Sequence, residues 1–162
     1  MAELTQMEEK LAEVLGLAQA AQDSTRKIGK LVDNKDVRAA LVQMRTEAAE
    51  TEKRIKAFAE NLNGKKTAIQ RKAKETKTEA SEMMSTYLGD DADALDGFEF
   101  LIMAEAGELG HVEIVRKMSQ KAGNREAKEL ANWAYGVQKK HFEMTRKAAL
   151  TLAAAEDPNE PA

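Results

Sequence analysis

Apolar residues recur along this chain at steps of three and four, the repeat of one helix face. Leu4, Met7, Leu11, Val14, Ala18, Ala21, Ile28 and Val32 trace a first helix, opened by the capping box Thr5-x-x-Glu8. "VDNKD" then supplies side chains able to cap a second start. Val37, Leu41, Met44, Ala48, Thr51, Ile55, Phe58 and Leu62 alternate steps of four and three without a break, a seam suited to shallow packing on a neighbour. "NLNG" closes that helix, with Gly64 placed for a left-handed turn.

The stretch 65–88 has helical propensity but little to bury: Ile69, Ala73, Ala80, Met83, Met84, Tyr87 and Leu88. It reads as a crossover helix, frayed at its basic start. "GDDADALDG" breaks it at Gly89, and Asp90 or Asp91 is expected to cap a fourth helix over 93–122. "GN" (Gly123, Asn124) is a short turn, and a last helix runs to about Ala155 before the polar ending "EDPNEPA". Four long helices result, each about 40 Å at 1.5 Å per residue. Joined in two pairs with a long connection between, they predict an all-α four-helix bundle with one crossover that carries an extra helix (65–90). One domain over 1–156 and a disordered tail at 157–162 are expected.

Composition agrees with this picture and narrows the chemistry. Hydrophobic residues make up 43 % of the 162, charged residues 33 % and aromatics only 4 %; both prolines fall in the last five positions. Abundant Ala and Met suit closely spaced helices. The net charge of −3, with signs intermixed, sets up no field for nucleic acid or membrane. The absence of cysteine excludes disulfides, zinc ribbons, iron–sulfur ligation and thiol catalysis. The acidic start "MAELTQMEEK" has no apolar core and no run reaches membrane-spanning length, so a cytoplasmic protein without a signal peptide is expected. No Ser-His-Asp arrangement, phosphate loop or nucleotide signature appears.

One segment departs from the apolar pattern. "MAEAGELGHVEI" (103–114) spaces Glu105, Glu108 and His111 three residues apart among hydrophobic neighbours. At 100° per residue Glu105 lies near the centre of a stripe formed by Phe98, Leu101, Ile102, Leu109, Val112 and Val115; Glu108 lies on its flank and His111 further round. In the last helix the stripe is Leu130, Trp133, Ala134, Val137, Met144, Ala148 and Leu152, with His141 in its middle and Gln138 at its edge. Glu47 flanks the second stripe, Glu50 turns further away, and Gln22 and Thr25 face inward from the first helix. Each long helix therefore carries polar groups near its midpoint. A lone buried carboxylate is unfavourable by several kcal/mol, whereas several at one level suit a shared cation. The plainer reading is a hydrogen-bonded polar strip between packed helices.

"AEAGELGH" together with "ANWAYGVQKKHFE" resembles the second half of a ferritin-like protein of the rubrerythrin and bacterial stress-protein kind. The resemblance spans most of the chain and is specific over about 95–157. It implies a two-metal site in which each helix pair gives one Glu and one Glu-x-x-His. Glu108 matches the lone carboxylate of the fourth helix, and His111 falls where a second carboxylate often stands. Gln138-x-x-His141 and Glu47-x-x-Glu50 occupy the Glu-x-x-His slots with one substitution each, and the first helix lacks its Glu. The resemblance thus implies iron or manganese on Glu47, Glu108 and His141, supported by Glu50, Glu105 and His111, with iron oxidation or peroxide handling in stress as the activity. A metal-free scaffold or interaction protein that has lost the site is the alternative.

Two surfaces raise partners. The reverse side of the fourth helix, Phe100, Met103, Gly107, Gly110, Ile114 and Met118, is apolar, so either the crossover helix or a second subunit should cover it, and a homodimer is expected. The basic run Lys65, Lys66, Arg71, Lys72, Lys74 and Lys77 admits phosphate contacts. Without interleaved aromatics, and in an acidic chain, it reads better as a solvated helix face.

Overall fold

In a computed structural model, which describes residues 2–161, the chain forms five helices: α1 (Gln6–Gly29), α2 (Lys35–Glu60), α3 (Lys66–Tyr87), α4 (Ala94–Ala122) and α5 (Arg125–Ala153). Among the described residues there is no strand. The starts are built as the local sequence demands. Thr5 accepts from the Glu8 amide while Glu8 Oε2 accepts from the Thr5 amide at 2.7 Å. Asn34 and Asn124 cap α2 and α5. The fourth helix is capped by Asp93, in a box with Asp96, instead of by Asp90 or Asp91. Gly64 and Gly123 take the positive φ that their turns require.

Helices α1, α2, α4 and α5 make the bundle, and α3 is the crossover, lying parallel to α1 on its outer side. That register is drawn by charge: Lys65 meets Glu8 at 2.7 Å, Lys72 meets Glu13 at 3.5 Å and Lys77 meets Asp23 at 2.8 Å. The expected fraying of the basic start does not occur, because Lys65 and Lys66 are held by Glu8 and Glu60, and Ile69 is fully buried behind them. The basic run is thereby spent within the chain: among its six members only Lys74 has no ion pair among the described residues.

Close approach is set by Gly16, where a Cβ would stand 2.3 Å from the Ala73 carbonyl oxygen, and by Gly97, where it would stand 2.8 Å from Ile28. Gly107 and Gly110 have nothing within 4 Å, so they do not serve packing inside the chain. On the reverse face of α4, Phe100 is buried beside Tyr87 of α3, ring centroids 6.1 Å apart, while Met103 and Ile114 stay exposed. The expected homodimer thus rests on a face that α3 already half covers.

The buried seam of α5 also differs from its predicted stripe. Its centre is Ala127, Ala131, Ala134, Gln138, His141, Thr145, Ala148 and Ala149, whereas Leu130, Trp133, Val137, Met144 and Leu152 are half-buried along its edge. Small residues at the centre bring the backbones close, and large ones then fill the flanks. Trp133 lies on that flank under the Arg54 guanidinium of α2, 4.1 Å from its ring centre.

Candidate functional site

The hydrophobic core is two clusters. One, at the end of the bundle where α1 starts, joins Leu11, Leu15, Ile55, Phe58, Ile69, Val112 and Val115; the other, at the far end, joins Ile28, Val37, Leu41, Met44, Phe98 and Leu101. Between them lies a polar layer. Each bundle helix contributes to it at mid-length: Gln22 and Thr25 from α1, Glu47, Thr51 and Glu52 from α2, Glu105 and Glu108 from α4, Gln138 and His141 from α5.

Within the layer the groups engage one another in chains. Gln138 Nε2 donates to Glu105 Oε2 at 2.6 Å. His141 presents Nε2 to Glu47 Oε2 at 2.7 Å and Nδ1 towards Glu105 Oε2 at 3.8 Å, the second too long for a hydrogen bond. Burial works to raise the Glu47 pKa, but hydrogen bonds from Lys140, Gln43 and His141 outweigh it and hold it below the ordinary value. Glu47 is therefore ionised, and an acceptor-only carboxylate needs the proton on Nε2. Burial likewise pushes the His141 pKa down against the pull of Glu47, so the imidazole is neutral at pH 7, with Nδ1 bare.

Glu105 and Glu108 behave in the opposite way. Burial, then the neighbouring Glu108 charge, raises Glu105 well above the carboxylate range, against the Gln138 hydrogen bond. Burial pushes Glu108 up to about 8, with the same amide opposing. Two carboxyls one helical turn apart, 1 % and 8 % exposed, thus lie beside the Gln138 amide, which donates to Glu105, and retain protons at neutral pH.

Of the six residues singled out from the sequence, four meet here: Glu47, Glu105, Glu108 and His141. Two do not. Glu50 is on the surface, paired with Arg54 at 2.9 Å and near Lys53. His111 lies at the α1–α4 surface, its Nδ1 against the Gly107 carbonyl at 2.9 Å and its Nε2 3.5 Å from Glu13. Helical angle alone places both off the buried face. Glu52 is a member that sequence reasoning missed: it accepts from Gln22 at 2.6 Å and Gln19 at 3.0 Å and pairs with Lys56. The signal was Gln22 itself, an inward amide that requires a partner.

Among the described residues no three His, Asp or Glu side chains are grouped to hold one ion, and no enclosed side-chain nitrogen or oxygen lacks a hydrogen-bond partner. The first helix supplies an amide and a hydroxyl where a carboxylate would stand. As it stands, the layer does not fit a two-metal centre.

Helix order and packing are those of an all-α, ferritin-like bundle with one helical crossover. The crystal structure of the E. coli stress protein YciF superimposes with a TM-score of 0.70, at 13 % identity, covering 93 % of this chain and 96 % of that one. At that identity the likeness speaks for the fold. No family model and no curated protein matches the chain. No helix among the described residues is long and apolar enough to cross a membrane.

Proposed function

We propose that this chain is a stress-associated ferritin-like bundle that works as a binding protein, its mid-plane holding protons and hydrogen bonds in place of a resident pair of metal ions. The pairwise engagement of the layer carries this reading: Gln138 on Glu105, His141 on Glu47 and Gln22 on Glu52. Glu105, Glu47 and the Nε2 of His141 already have protein partners, so an ion taken up on these carboxylates means breaking short hydrogen bonds. The stress association comes from the structural neighbour, the E. coli stress protein YciF.

A second reading, a single iron or manganese ion on Glu105, Glu108 and His141 with Glu47 behind, is favoured by one observation. Two carboxyls are buried side by side at an electrostatic disadvantage that a cation would reverse. One experiment separates the two. The purified chain is incubated with Fe(II) or Mn(II) under nitrogen, desalted and assayed for metal, and its melting temperature is followed. The proposal expects well under one ion per chain and no thermal shift. About one ion per chain, lost in Glu108→Ala and His141→Ala and accompanied by a rise in Tm, would establish the metal site instead.

A further inference from the structure

Away from the hydrogen-bonded layer, a cavity of about 410 Å³ opens between α1, α3 and α4. Its walls are apolar and adaptable, formed chiefly by Leu17, Ala80, Met84, Phe100 and Met103. Flexible thioethers re-pack around varied shapes. A cavity of this size lies within the range of small-molecule pockets, about 300–1,000 Å³. Polar and charged side chains border it too: Lys10, Glu13, Lys72, Glu79 and His111, and Glu108, 8 % exposed, reaches it from the layer behind.

We propose that this cavity binds a molecule with an apolar body and a protonated primary amine, the body along Leu17, Met84 and Met103 and the amine against the Glu108 carboxyl. Three observations choose the amine. Glu108 has no ion pair among the described residues, and the amide beside it is already donated to Glu105 at 2.6 Å, so its acceptor capacity is left for a donor arriving through the cavity. The cations at the mouth are spent: Lys10 meets Glu13 at 2.9 Å, and Lys72 stands 3.5 Å from Glu13 and 3.6 Å from Glu9. An anionic head would therefore find no free positive charge there. Finally, Gly107 beside Glu108 has nothing within 4 Å where a Cβ would stand, which leaves the approach to the carboxyl open. Charge-assisted hydrogen bonds are the strong ones, and in an apolar cavity one donated by the ammonium to the Glu108 carboxyl oxygen is only weakly screened.

The test is calorimetric titration of the full chain with n-octylamine, n-octanol and n-octanoate. Octylamine should bind saturably, one per chain, at least tenfold tighter than the other two. Glu108→Gln should erase that preference while octanol binding is retained. Gly107→Leu, which fills the opening, should abolish binding of all three without lowering Tm. The proposal fails if octylamine gives no saturable heat, if octanoate binds most tightly, or if the amine preference survives in Glu108→Gln. Metal content plays no part in these readouts, so this result and that of the metal experiment are independent.

Discussion

Glu108 is the residue whose chemistry departs furthest from its type. A carboxyl with a folded pKa of about 8 and an ordinary value of 4.5 binds its proton more tightly in the native state. Native stability from this group is therefore fully present below about pH 4.5 and declines as pH rises towards 8. Glu108→Gln should melt close to the parent at pH 5 and well above it at pH 8, the gap amounting to several kcal/mol; equal melting at both values would contradict the assignment. Glu47 has the reverse sign, its lowered pKa adding stability that is lost on acidification. Comparing variant and parent at each pH isolates Glu108 from such groups. Its position on the flank of the α4 stripe was legible from helical angle. Its protonation was not, because that depends on what closes over it from α3 and α5.

At the level of elements, the local rules carried furthest at helix starts. Thr5→Ala removes one half of the α1 capping box and should cost about 1 kcal/mol in urea unfolding, as such caps do. The glycines show where local rules stop. Gly16→Ala places a methyl 2.3 Å from the Ala73 carbonyl and 2.8 Å from the Thr76 Cβ, so α1 and α3 must part; a loss of roughly 1–3 kcal/mol is expected. Gly110→Ala meets nothing within 4 Å and should gain about 1 kcal/mol from helix propensity. Urea midpoints of the two variants should move in opposite directions, and movement in the same direction would mean that the α1–α3 spacing is not held by Gly16. In the sequence, all the glycines within helices look alike.

Over the whole molecule, the polar layer divides the core into two apolar clusters, and its worth shows in combination. Gln138→Leu alone strips Glu105 of its donor and should destabilise by about 1–3 kcal/mol. Glu105→Leu with Gln138→Leu removes both partners and lets the clusters meet, so the double variant should be at least as stable as the parent at pH 7. Thermal melts of the single and double variants supply the check. A double variant weaker than Gln138→Leu would mean that the layer stabilises the bundle as a unit.

Helix number, order, most boundaries and the inward position of Glu105 and His141 followed from the sequence by itself. Periodicity and capping are read over a turn or two of chain, and the residues concerned are neighbours in that range. Which polar group meets which was decided by tertiary structure alone: Glu47 finds His141 94 residues away, Gln138 finds Glu105 across 33, and Glu52 joins through Gln22. The same holds for α3 lying on α1, for the alanine centre of the α5 seam and for the cavity in front of Glu108. Those pairings depend on helix spacing and relative register, to which residues distant along the chain contribute, and no repeat within one helix encodes them.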